Sequence, residues 1–192
     1  MSRFLRIALL AVLAGCGGAE FSQPRHLDDA CAFSGERPEY MRAMQRTAQR
    51  WNLPVHVQMA MIYHESKFVG DARTPFRYAL GVIPMGRQSS AYGYSQALDG
   101  TWEEYQRATG NRSARRDRIE DATDFVGWYA NETAARNGVA LEDARNQYLA
   151  YHEGHTGFAR RSYRSKSWLV RVAGEVETRS AIYQAQLQSC GL

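Results

Sequence analysis

Tyr63-His64-Glu65-Ser66-Lys67-Phe68 closes an apolar run, Val55-His56-Val57-Gln58-Met59-Ala60-Met61-Ile62, and the reading of that junction decides the fold. Apolar residues at helical spacing predict a helix. If it continues through Glu65, Met61 and Ile62 lie four and three residues before the acid, on its own face. A carboxylate hemmed in by Met61, Ile62 and Phe68 is costly to ionise, so its pKa should rise. That is what a general acid needs near neutral pH. The alternative at this position is a solvated Glu at a helix end.

Outward from this helix the chain reads as more helices. Pro38 opens one in which Tyr40-Met41, Met44, Thr47-Ala48 and Trp51 recur at helical spacing, broken at Asn52-Leu53-Pro54. Val69 to Tyr92 carries Gly70, Pro75, Gly81, Pro84, Gly86 and several serines and is expected to be largely loop. Long loops in compact domains are often binding loops or lids. Ser95 to Ala108 reads as a helix ending before Gly110, and Asp117-Arg118-Ile119-Glu120 has the spacing of a capping box. It opens a run through Ala122, Phe125, Val126, Tyr129 and Thr133, stopped near Asn137-Gly138. Leu141 to Glu153 follows, with Leu141, Ala144, Tyr148 and Tyr151 on one side and Gly154 as its stop. A last helix carries Trp168, Leu169, Val172, Ala173, Val176, Ile182 and Tyr183. No strand alternation persists and no internal repeat is evident, so the fold class is all-α (mostly α) in a single domain.

Two later segments join Glu65-Ser66 in a pattern. They are Ser90-Ala91-Tyr92-Gly93-Tyr94-Ser95-Gln96-Ala97-Leu98-Asp99-Gly100-Thr101-Trp102 and Tyr148-Leu149-Ala150-Tyr151-His152-Glu153-Gly154. In this order they resemble the lytic transglycosylases with a soluble-lytic-transglycosylase (SLT) domain, relatives of goose-type lysozyme. That family carries a Glu-Ser pair, a Gly-Leu-Met-Gln segment with a Thr five residues past its Gln, and an Ala-Tyr-Asn-Ala-Gly segment. Gly93-Tyr94-Ser95-Gln96 with Thr101 keeps the Gly, Gln and Thr of the second; Ala150-Tyr151-His152-Glu153-Gly154 has His and Glu in place of Asn and Ala in the third. The resemblance runs from roughly Tyr40 to Tyr183. It implies a lysozyme-like domain, here with a long loop insertion between the first two motifs.

The first residues form a targeting segment. Arg3 and Arg6 give a basic start, and Ile7-Ala8-Leu9-Leu10-Ala11-Val12-Leu13 is apolar but too short to span a bilayer. Leu13-Ala14-Gly15-Cys16 looks like a bacterial lipobox, a signal cut before a Cys whose thiol takes a diacylglycerol; an ordinary small-residue cleavage site is the alternative. The expected division is a signal peptide over 1–15, a lipidated tether over 16–30 and the SLT-like domain over 31–192. Gly17 rather than Asp after the Cys points, in Gram-negative lipoproteins, to the outer membrane, facing the periplasm. The 177 residues left after cleavage suit one domain with a full core. With Cys16 assigned to lipid, Cys31 and Cys190 remain, and an oxidising compartment favours a disulfide between them over two free thiols.

Net charge falls from +4 to +2 once Arg3 and Arg6 leave, and scattered arginines interleaved with acids give no nucleic-acid footprint. Arg160-Arg161-Ser162-Tyr163-Arg164-Ser165-Lys166 is denser, either a solvated loop or a contact for envelope carboxylates and phosphates. His152 and His155 with Glu153 lack HExxH spacing, so no metal and no cofactor is expected.

The resemblance implies a substrate and a chemistry: the β-1,4 bond between N-acetylmuramic acid and N-acetylglucosamine in peptidoglycan glycan strands, cleaved without water to a 1,6-anhydro end. Glu65 would be acid and then base. Ser66, Gly93, Gln96, Tyr151 and His152 would bind substrate. Each has a plainer reading: a helix-end hydroxyl for Ser66, a turn and a solvated Gln for Gly93 and Gln96, a core position for Tyr151, a surface group for His152. Thr101 reads as structural, and Tyr92 and Trp102 as candidate sugar-stacking surfaces. A hydrolytic muramidase of the same fold would need a second carboxylate such as Asp71, Asp99 or Glu153. A non-enzymatic peptidoglycan-binding lipoprotein is the third reading, which retention of Glu65 disfavours.

Overall fold

The computed structural model describes residues 21–192, so the signal segment, Cys16 and the first part of the tether lie outside the described residues. The order is α1 (Ala30–Glu36), α2 (Pro38–Trp51), α3 (Val55–Ser66), β1 (Phe76–Ala79), β2 (Ile83–Arg87), α4 (Asp99–Thr109), α5 (Ile119–Asn137), α6 (Ala144–Ala159), a 3-10 turn (Ser162–Ser165) and α7 (Ser167–Ser189). The architecture is mostly α with one small antiparallel hairpin, as the apolar spacing predicts for the helices.

α3 is the axis of the molecule. Val57, Met59, Ala60, Met61 and Ile62 are all buried, so it is apolar nearly all round, the mark of a helix enclosed by others. It packs against α2, α5, α6 and α7. After Ser66 the chain reverses through two left-handed residues, Lys67 (φ 51°) and Phe68 (φ 60°). Each such backbone costs on the order of 1 kcal/mol or more. Burial of Phe68 against Phe33 (ring centroids 4.8 Å) and Tyr40 (6.0 Å) offsets that by about 2 kcal/mol. This lock fixes where α3 ends, and so where Glu65 stands. α5 is tied to α2 through Asp124, which accepts from Trp51 (2.8 Å), Arg50 (3.0 Å) and the Tyr105 hydroxyl (2.8 Å).

Five expectations change. α4 starts at Asp99 because residues 93–97 form a turn. The Asp117–Glu120 capping box does not form: Arg118 holds the cap position without a side-chain bond. Asp117 is instead engaged by Arg115 (2.9 Å) and the Tyr92 hydroxyl (3.1 Å). Gly154 breaks α6 (φ 72°, ψ 157°), but the helix resumes directly beyond it, giving a kink and not a stop. The expected loop 69–92 contains the β hairpin. Residues 24–30, expected within the tether, pack on the domain. Pro24, Leu27 and Ala30 are buried, and the Leu27 carbonyl accepts from the Tyr183 hydroxyl. Cys31 and Cys190 are joined in a disulfide, Cα to Cα 6.2 Å, linking α1 to the end of α7.

Candidate active site

Glu65 sits in the last turn of α3, only partly exposed. Burial raises its carboxyl to about 7, while a hydrogen bond from the Tyr148 hydroxyl pulls the other way. The negative end of the α3 dipole also opposes ionisation there. Tyr148 and Tyr151 reach it from α6, where a spacing of three puts them on one face. Burial and the neighbouring Glu65 push both phenols up, so both stay protonated and able to donate.

The three motif segments meet here through main-chain carbonyls. The Ser66 hydroxyl donates to the Tyr94 carbonyl at 2.7 Å, tying the end of α3 to the second segment. The Tyr151 hydroxyl donates to the Ser95 carbonyl at 2.5 Å, tying in the third. Gly93 (φ 79°) lies so close to the Arg116 carbonyl that a Cβ would come within 2.1 Å of its oxygen. The site therefore needs glycine there for backbone approach within the protein. Gln96, itself left-handed (φ 50°), turns its amide inward and donates to the Gly93 carbonyl (2.8 Å) and the Ala72 carbonyl (3.0 Å). Beside it, the buried Ser95 hydroxyl has no hydrogen-bond partner.

Two cavities flank these residues. One of about 240 Å³ is lined by Gln96, Thr101, Tyr129, Tyr151, His152 and Glu153 among others. A larger one, about 650 Å³, runs between the end of α3 and α7, past Tyr63, His64, Lys67, Arg171, Glu175 and Arg179. Tyr151 lines the first, and the Tyr148 ring meets the His64 ring of the second edge-on, with centroids 6.1 Å apart. Of the two tyrosines beside Glu65, Tyr151 thus lines the smaller cavity, and Tyr148 touches the wall of the larger one through His64.

His152 and Glu153 differ in their surroundings. His152 is partly exposed, edge-on to Trp168 (5.0 Å). The Glu153 side chain is 3% exposed and accepts from Lys166 at 2.6 Å, from Ser162 and from His152 at 3.3 Å. Burial alone would raise its pKa; the hydrogen bonds from Lys166, Ser162 and His152 outweigh it and hold the carboxyl below its usual range. Lys166, at the end of the basic patch, is thereby an ion-pair partner of α6. His155 faces α5, stacked on Tyr129 (4.4 Å). Trp102 is buried against Tyr105 and Phe125 and is a core residue, not a sugar platform. Tyr92 lies under the guanidinium of Arg73 (4.2 Å).

A family model described as the transglycosylase SLT domain matches residues 4–190. The chain belongs to the SLT family. Comparison with curated proteins gives no match. The family sets a coarse function, a transglycosylase acting on the glycan of peptidoglycan, and agrees with the mostly α, lysozyme-like architecture. In this SLT domain the sequence reading missed Tyr148, read as one of an apolar helix face, and His64. Tyr148 was findable, because it lies one turn from Tyr151 on the same face. His64 gave no signal: that it lines the larger cavity beside α7, its buried Nε2 without a partner among the described residues, depends on the packing of α7.

Proposed function

We propose that this SLT domain is a lytic transglycosylase with Glu65 as the single acid and base. One observation carries the reading: a carboxyl raised to about 7, hydrogen-bonded by one tyrosine and faced by a second. Among the described residues no other carboxylate contributes to that shift. Asp99 pairs with Arg116 at 2.7 Å, Glu153 pairs with Lys166 and Asp71 is exposed. That supports a one-carboxylate route over a hydrolytic one.

Protonated Glu65 gives its proton to the oxygen leaving with N-acetylglucosamine as the C1–O4 bond breaks. The carboxylate so formed takes the proton of the muramyl C6 hydroxyl, whose oxygen bonds to C1 and closes the 1,6-anhydro ring. Tyr148 stabilises the carboxylate between the two steps by donating to it. Gln96, Tyr151 and His152 line the smaller cavity and contact the sugars, His152 taking the place of the family's Asn; Ser66 holds the second segment against the end of α3, and Gly93 lets it lie against the Arg116 backbone. Mass spectrometry of sugars released from purified sacculi tests the reaction. Anhydro-muramyl ends are expected, and reducing ends would overturn the reading in favour of a muramidase.

The same reading places the enzyme on a membrane through lipid on Cys16, in the outer membrane facing the periplasm. The lipobox-like Leu13-Ala14-Gly15-Cys16 supports it. Wild type should fractionate with membranes and Cys16→Ala should be soluble or unprocessed. Equal membrane partitioning of a correctly processed Cys16→Ala chain would rule out the lipid as tether.

A further inference from the structure

The β1–β2 hairpin exposes more apolar surface than any other part of the described chain. Leu80 is 91% exposed, Val82 76% and Met85 65%, with Phe76, Tyr78 and Ile83 also outside. Both strands are exposed along nearly their whole length, and neither packs against a helix of the domain. A lone two-stranded hairpin is marginal in water, and an apolar one uncovered on both faces is more so.

Its chemistry is ordered along its length. Arg77 and Arg87 lie on its strands and Arg73 just before it. Arg87 covers the Phe76 ring at 4.4 Å and donates to the Thr74 carbonyl at 2.7 Å. Phe76 and Tyr78 follow, and beyond them the turn Leu80-Gly81-Val82 leads into Ile83 of β2. From Ala72 to Leu98 the chain carries three arginines and no acidic residue. Arg73 lies below the hairpin, Arg87 and Phe76 face each other at its base, Arg77 and Tyr78 follow, and only aliphatic side chains and Met85 reach the tip. Cations and rings towards the base with aliphatic groups at the tip suit a lipid interface, from phosphate to acyl chain. Four paired residues give a reach of about 13 Å. That suits entry into the upper 5–10 Å of the acyl boundary, roughly. It excludes spanning, because the open strand edges need water or headgroups for their free N–H and C=O groups.

Where the described chain begins gives a second, independent observation. Phe21 packs on Gly70, so closely that a Cβ there would come within 2.5 Å of its ring, and Ser22 is held by Arg37 at 3.0 Å. Gly70 is where the segment bearing the hairpin leaves the end of α3. Cys16 stands five residues before Phe21, within about 18 Å of it at full extension. Phe21, where the described chain begins, and the segment that bears the hairpin thus meet at Gly70.

We propose that the hairpin tip, Leu80 to Met85, inserts into the interface of an anionic phospholipid bilayer and holds the domain against the membrane. The driving force lies in the hairpin itself; only the identity of the membrane rests on the Cys16 reading.

The test uses the full chain, purified in detergent and reconstituted on vesicles of phosphatidylethanolamine and phosphatidylglycerol. An environment-sensitive fluorophore is attached at Leu80→Cys or, as a control, at the exposed Leu192→Cys. A blue-shifted emission at the tip, quenched by spin-labelled lipid and weaker on phosphatidylcholine vesicles, is expected, with neither change at the control. Replacing Val82 and Ile83 with Ser beside the probe should lower quenching at least several-fold while leaving cleavage of soluble glycan strands unchanged. Tip emission equal to the control on vesicles would overturn the proposal. So would a shift that appears only with glycan strands, which makes the hairpin a substrate contact, or only with other envelope proteins, which makes it a protein-docking element. Intact mass reports the lipid on Cys16 separately, so insertion by a chain without lipid refutes the anchor and leaves this inference standing.

Discussion

Glu65 is held in a protonation state that the unfolded chain would not keep. Its carboxyl rises from an ordinary 4.5 to about 7, chiefly through burial. Between those values the folded chain keeps a proton that the unfolded chain releases, so stability falls as pH rises across that window, with the full penalty above about pH 7. With allowance for its partial exposure, the penalty is on the order of 2 kcal/mol. Glu65→Gln has nearly the same shape and no charge to bury. It should melt higher than wild type at pH 8 and match it near pH 4, while sacculus solubilisation falls by about 10²-fold or more. Wild-type activity should decline above about pH 7 as the acid deprotonates. A folded Glu65→Gln chain with near-wild-type activity would reject the assignment, and unchanged melting at pH 8 would reject the burial argument. The rise of the Glu65 carboxyl was legible in the sequence because its cause is local: Met61 and Ile62 share its helix face and Phe68 follows on the same short segment. Tyr148 was legible only as a neighbour of Tyr151 on one face of α6; that it bonds Glu65 depends on how α6 crosses α3.

Among the elements, α6 carries most of the difference from the family pattern. The Gly154 kink lets the chain turn, and the Glu153–Lys166–Ser162 cluster holds the turned part against the 3-10 segment. His152 stays at the cavity wall, where it meets Trp168. The two residues that replace Asn-Ala therefore divide between a buried ion pair and the wall of a cavity. Glu153→Ala should destabilise the domain by about 1–3 kcal/mol, since a buried carboxylate and its three hydrogen bonds are lost. Its ratio of anhydro to reducing ends should not change. His152→Asn should leave stability alone, while His152→Ala should raise KM for glycan strands several-fold, because it removes a hydrogen-bonding group from the cavity wall. A product ratio that moves with Glu153→Ala would put that carboxylate in the reaction; an unchanged KM in His152→Ala would return His152 to the surface. Helices were legible from spacing because each buries one stripe. The hairpin was not, because strands exposed on both faces have no alternation to read. The Asp117 cap failed for a different reason: Arg115 and Tyr92 compete for the same carboxylate, and both come from outside the tetrad.

On the scale of the whole molecule, the first and last helices are closed on each other, and the disulfide is one of several ties. Cys31–Cys190 spans a sequence separation of 159. Gln186 donates to the Asp28 carbonyl (3.0 Å) and accepts from the Ala30 amide (2.9 Å). Arg179 holds Asp28 at 2.8 Å, and the Tyr183 hydroxyl reaches the Leu27 carbonyl. Two cysteines near the chain's ends, with an expected oxidising compartment, sufficed to pair the ends; the polar ties depend on where α7 lies and could not be read. The disulfide acts mainly on the unfolded chain, by removing the entropy of a loop nearly as long as the domain, and this contributes roughly 2–5 kcal/mol. The polar ties act on the folded chain and survive its loss. Cys31→Ser should therefore still fold and keep its activity at 25 °C, yet melt about 5–15 °C lower. Reduced wild type should melt with the variant, because the same constraint is missing in both. If Cys31→Ser melts with oxidised wild type, loop closure is not what stabilises this domain, and the contacts of α7 with residues 27–30 carry the closure alone.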